Sequence, residues 1–151
     1  MKDALLKLFV LMTTIFTIST CRAETYFCAA EKSTGFRFRS NWEQGNFTVE
    51  NLKYIFRSVK KGEKDTLGMP ITAPFIVYRS GESDFIDRRF NSCSTNSLGN
   101  LVYCDTFGRD FVFNKEQLLF QSVEKFGYVL QHDKNLKSDV TITIGKCSKI
   151  D

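Results

Sequence analysis

Two cysteines, Cys93 and Cys104, bracket the loop-forming run Ser94-Thr95-Asn96-Ser97-Leu98-Gly99-Asn100. Its residues accept turn geometry because their short side chains bond nearby backbone or tolerate positive φ. On either side lie segments too short for helices. Leu101-Val102-Tyr103-Cys104 and Phe111-Val112-Phe113 are made of β-branched, aromatic and sulfur side chains, the types that fit a pleated, half-buried surface. Asn114 to Gln117 then separates Phe113 from Leu118-Leu119-Phe120-Gln121-Ser122-Val123, a spacing that suits a four-residue hairpin connection. The mixed propensities leave a competing helix, capped by Asn114 and running from Glu116 to Glu124; strand, turn, strand is the preferred reading. If the segments flanking the first loop pair as antiparallel neighbours, the β-carbons of Cys93 and Cys104 come within disulfide reach.

The N-terminus constrains the compartment. Lys2 and Lys7 precede an apolar run from Leu8 to Ile18, and Cys21-Arg22-Ala23 ends in a small-x-small pattern that a signal peptidase accepts. The run is too short for a stable bilayer anchor, so Met1 to Ala23 reads as a signal peptide and export to the periplasm or beyond is expected. A second route makes Cys21 a lipidated N-terminus, with Ile18-Ser19-Thr20-Cys21 partly matching a lipoprotein box. Removing 23 of the 151 residues leaves one ordinary domain, Glu24 to Asp151. Lys2, Lys7, Arg22 and Asp3 leave with the signal segment, which takes the formal charge from +4 to near +2. That is no nucleic-acid footprint.

Cys28, Cys93, Cys104 and Cys147 remain in the exported domain. An even number there reads as disulfides, and four cysteines permit three connectivities. Cys28–Cys147 with Cys93–Cys104 is preferred, because the first then ties the two ends of the domain together. Zinc is disfavoured by the absence of a Cys-x-x-Cys spacing and by a single histidine, His132.

Along the chain, Glu24 to Ala30 is a strand candidate, Glu31 to Gly35 a polar turn, and Phe36-Arg37-Phe38-Arg39 an alternating strand whose phenylalanines should point inward. Ser40 to Asn46 reads as a loop. Phe47 to Val59 fits either a helix behind Thr48 or a strand around Tyr54-Ile55-Phe56, the strand being favoured narrowly. Lys60 to Asp65 is a mixed-charge turn and Phe75 to Tyr78 a strand. Asp84 to Phe90 is a short helix or an edge strand, and Phe126 to Leu130 a strand before the polar loop Gln131 to Asp139. Val140, Ile142 and Ile144 share one face of the last strand. Tyr26 to Phe38 and Tyr103 to Phe113 echo one another as two similar hairpins. The fold class these features predict is all-β or mostly β: a small antiparallel barrel or sandwich with two disulfides and at most one short helix.

Tyr26-Phe27-Cys28, Thr34-Gly35-Phe36, Tyr103-Cys104, Phe111 to Asn114 and the ending Ile144-Gly145-Lys146-Cys147-Ser148 together resemble a group of small, uncharacterised, secreted proteobacterial proteins. The resemblance brings structural positions and no catalytic ones. A looser similarity, through the early Tyr-x-Cys and the late Cys147, is to periplasmic lysozyme inhibitors of the membrane-bound type, and implies a small disulfide-bonded barrel with inhibitor-like binding.

For chemistry the sequence offers little. His132 lies in a polar loop beside Asp133 and Lys134, and neither a phosphate-binding glycine loop nor a metal constellation is present. No catalytic, metal-binding or cofactor-binding residue is assigned and no cofactor is expected. The chain is expected to be a non-catalytic module that binds a protein or another envelope component. Its alternatives are a small barrel carrying an apolar ligand, since its many phenylalanines could line a cavity, and a hydrolase using a carboxylate pair.

Overall fold

Side chains that alternate along short segments, with turn residues between the segments, assemble into an all-antiparallel sheet. The structure, a computed structural model, describes residues 23–38, 41–81, 92–106, 108–124 and 139–150. Met1 to Arg22 of the expected signal segment, Asp84 to Phe90, Phe126 to Leu130 and His132 lie outside the described residues. Among the described residues nine strands run in chain order: β1 (Thr25–Phe38), β2 (Trp42–Asn46), β3 (Lys53–Ser58), β4 (Phe75–Arg79), β5 (Ser92–Thr95), β6 (Leu101–Thr106), β7 (Arg109–Asn114), β8 (Leu119–Glu124) and β9 (Val140–Ile150). Among the described residues there is no helix. The all-β fold class, the strand at Tyr54 to Phe56 and the hairpin through Asn114 are as the sequence predicts.

Strands β1 and β3 to β9 follow one another around the sheet, and β9 returns to pair with β1, closing an eight-stranded barrel. The length of β1 makes the closure possible. One edge pairs with β9 from Thr25 to Phe36. The other is divided, with Thr25 to Ala29 against β3 and Thr34 to Phe38 against the additional strand β2.

An eight-stranded barrel is just wide enough for side chains to fill, and here aromatic rings fill much of it. Tyr26 packs on Phe113 with ring centres 4.8 Å apart, Tyr54 on Phe111 at 4.9 Å, and Phe56 on Phe113 at 4.9 Å. The first two meet edge to face, the arrangement the ring quadrupole favours. Both disulfides lie inside and join register partners: Cys28–Cys147 across β1 and β9, and Cys93–Cys104 across β5 and β6. This is the preferred connectivity.

The expected turn at Glu31 to Gly35 does not form. β1 runs straight through it, with a register shift between Ala30 and Lys32. Such a bulge inserts one residue and reverses the facing of all that follow. Tyr26 and Cys28 point inward before it and Ser33 after it, so Phe36, expected inside, stands on the outer wall and is 48% exposed. The expected pair of similar hairpins therefore reduces to one, β6–β7. Ser33 is held inside by a 2.9 Å hydroxyl contact with Thr143. Gly35 serves close approach rather than turning, since a Cβ there would collide with the Val140 carbonyl.

Two expected loops are also corrected. Trp42 to Asn46 is β2, made extended by pairing with β1 despite its turn-prone composition. Ser94 and Thr95 belong to β5, and the loop begins at Asn96, whose side chain accepts the N–H groups of Asn100 and Leu101 at 3.0 Å each.

Candidate functional site

Closure commits one face of each strand to the interior and leaves the other as surface. On the outer wall, register aligns Tyr103, Val112, Gln121, Ile144 and Lys32 side by side across β6, β7, β8, β9 and β1. The next row aligns Asp105, Asp110, Val123, Ile142 and Thr34. Cross-strand neighbours of this kind lie about 5 Å apart, so the apolar members form a patch that Leu119 and Phe36 extend. Ile142 and Ile144 are 48% and 46% exposed, whereas Thr141 and Thr143, which alternate with them, are buried. The last strand thus shares one apolar face, as expected, and that face is the outside.

Two grooves mark this wall. One, of about 620 Å³, lies where β1 bulges and the chain leaves β2; Ile142 and Ile144 line it together with Phe47, Asn46, Glu31 and Lys32. The other, of about 510 Å³, lies over β5 to β7 and includes Tyr103, Val112, Asp105 and Asp110. Asp105 and Asp110 are register partners, a pair of carboxylates on neighbouring strands. They sit on open wall, and each has another interaction partner.

Inside, a charged cluster spans the barrel. Arg109 on β7 donates from Nε to Glu124 Oε2 on β8 at 3.1 Å, makes a second contact to the same oxygen through Nη2, and reaches with Nη1 to the Tyr54 hydroxyl on β3. Its guanidinium carbon lies 5.8 Å from the Tyr54 ring centre. Burial pushes the Tyr54 hydroxyl above its ordinary pKa, with the Arg109 charge pulling the other way. This arrangement joins strands and satisfies a charge.

At the opposite end, Glu24 accepts from Lys115 Nζ at 2.7 Å, and Lys149 lies 3.6 Å away. The Lys115 hydrogen bond holds the Glu24 carboxyl below its ordinary range. Burial, helped by Glu24, pushes Tyr26 up to about 12.

The four cysteines named from the sequence are brought together in two pairs, while His132 lies outside the described residues. Among the described residues no group of three or more His, Cys, Asp or Glu side chains is placed to hold a metal ion, and no helix is long and apolar enough to cross a membrane. Two enclosed disulfides are consistent with an oxidising compartment outside the cytoplasm. Sequence reasoning missed both the Arg109 cluster and the outer-wall patch. For the patch the signal was present in Val140-Thr141-Ile142-Thr143-Ile144, which fits either facing. Compared with protein-family models, curated protein sequences and solved structures, the chain has no match.

Proposed function

We propose that this is an exported, non-catalytic recognition barrel that binds a macromolecular partner, in an inhibitor-like manner, on the outer wall formed by β6 to β9 and β1. The observation that carries this reading is the facing of β9, which turns Ile144 outward in the row of Gln121, Val112 and Tyr103, and Ile142 outward beside Val123. Leaving such side chains in water forgoes roughly 1.5–3 kcal/mol for each one that full burial would stabilise. Single exposed apolar residues are ordinary, but contiguous ones mark an interaction surface.

Rigidity supports the same reading. A closed barrel tied by two disulfides presents its wall already formed, which reduces the ordering cost of association. An enclosed apolar ligand has less support, because Phe56, Phe113 and Val102 occupy the apolar interior and are fully buried. The signal-like N-terminus together with the disulfides supports export to the periplasm or beyond. The looser similarity to lysozyme inhibitors makes a lysozyme the first partner to try.

Photocrosslinking tests the reading. Val112→p-benzoylphenylalanine places the probe on the wall, and Glu116→p-benzoylphenylalanine places it on the β7–β8 turn. Incubation with purified lysozyme and with envelope fractions should give a saturable crosslink from position 112 alone, lost when Ile144→Asp is added. Equal crosslinking from both positions, or none from position 112 with any fraction, refutes it.

A further inference from the structure

We propose that the groove at the β1 bulge binds the hydrocarbon chain of a free, single-chain anionic amphiphile, whose head group meets Lys32. This goes beyond the reading of the wall as a macromolecular surface and concerns a separate small ligand. The groove is a product of the fold. β1 bulges between Ala30 and Lys32, and the N–H of Phe47 donates to the Ser33 carbonyl at 2.9 Å, so the chain leaving β2 stands across β1 from β9 and the groove runs between them. Arg37 lies with its guanidinium carbon 4.7 Å from the Phe47 ring centre and is itself 3.8 Å from Asp139. At about 620 Å³ the space falls within the range of small-molecule sites.

The chemistry of the lining selects the ligand. Ile142, Ile144 and Phe47 offer apolar contact. The backbone beneath them is already engaged, with Lys32, Ser33 and Thr34 paired to Ile144, Thr143 and Ile142, and Thr34 also paired to Asn46. A peptide adding as a strand would need unpaired main-chain groups there, whereas a hydrocarbon chain needs none. Charge completes the match. Glu31 is neutralised by Lys146 Nζ at 2.9 Å, while Lys32, exposed at the rim, makes no ion pair among the described residues. Among the described residues the rim therefore carries a net ammonium charge, complementary to a carboxylate or phosphate head.

The test is isothermal titration of the exported domain with dodecanoate, dodecanol and dodecyltrimethylammonium, each below its micellar concentration. Dodecanoate should bind at one site, about tenfold more tightly than the cationic analogue. Ile144→Asp, at an exposed position where circular dichroism should show the fold unchanged, should abolish binding of all three. Lys32→Glu should weaken dodecanoate about tenfold and leave dodecanol unchanged. Absence of saturable dodecanoate binding overturns the proposal. So does undiminished binding to Ile144→Asp, or binding only to phosphatidylglycerol vesicles. If dodecanoate fails while the position-112 crosslink persists, the groove assignment falls alone. A dodecanoate site without a wall crosslink supports the groove and removes the macromolecular reading.

Discussion

Cys28 and Cys147 stand directly opposite one another on β1 and β9, their Cα atoms 3.9 Å apart, at the seam where the sheet closes on itself. Cys93 and Cys104 are paired in the same manner, but across neighbouring strands that a short loop already joins. The sequence separations are 119 and 11. The entropy a crosslink removes from the unfolded chain grows with the logarithm of the loop it closes. Cys28→Ala with Cys147→Ala should therefore lower stability by about 2 kcal/mol more than Cys93→Ala with Cys104→Ala. Urea midpoints of the two double variants measure this, and equal losses would refute the assignment of the seam disulfide as the principal covalent tie.

Phe36 and Phe113 put the bulge to the test. Both belong to a Phe-x-Phe pattern, yet Phe113 is fully buried and Phe36 is 48% exposed. Phe113→Ala should cost about 3–5 kcal/mol, by lost transfer and by cavity formation. Phe36→Ala should fall within about 1 kcal/mol of the parent, as substitutions outside the core usually do. Chemical denaturation of both variants decides the point. A large loss at Phe36 would mean that the facing of β1 does not reverse after Ala30.

The strands from Leu101 to Glu124 were legible because alternation and turn chemistry agree there: Asn96 and Asn114 both close turns with their own side chains. The bulge was not. Glu31-Lys32-Ser33-Thr34-Gly35 has the composition of a turn, and pairing of Lys32 to Gly35 with β9, joined by β2 at Thr34 and Gly35, keeps it extended. The same override makes Trp42 to Asn46 a strand. The extended course through the bulge depends on a partner remote in sequence, and β2 on the adjacent end of β1. That is also why the outer-wall patch was unreadable, since its inward or outward sense is set by closure and not by the strands that compose it.

Gly145 is the position where β9 tolerates no side chain. It faces inward opposite Phe120, and a Cβ there would collide with the Ala29 carbonyl oxygen and the Phe120 ring. The first obstacle is backbone and cannot rotate away. Gly145→Ala should therefore destabilise by about 1–3 kcal/mol, the usual cost of overpacking. Combining it with Phe120→Leu should recover little, because relieving the ring leaves the carbonyl clash. Thermal melts of the single and double variants measure both effects; a neutral Gly145→Ala would show that β1 and β9 are less closely apposed at that level.

Tyr26 sets the alkaline limit. Its folded pKa is raised to about 12 by burial and by Glu24, whereas in the unfolded chain a tyrosine titrates near 10. Between those values the unfolded state has given up a proton that the folded state keeps, so stability falls as pH rises. Its contribution is whole below about pH 10 and is lost by about pH 12, an effect of the order of 2 kcal/mol. Tyr54, raised by burial and opposed by Arg109, adds to the same limb. Glu24 acts at the other extreme, because a depressed carboxyl contributes stability that disappears as pH falls through its folded pKa. Urea midpoints taken from pH 9 to 12 should decline for the parent and decline less for Tyr26→Phe, which retains the ring packing on Phe113 but has no hydroxyl to ionise. If the two pH profiles are parallel, the Tyr26 hydroxyl is not the group that couples alkali to unfolding.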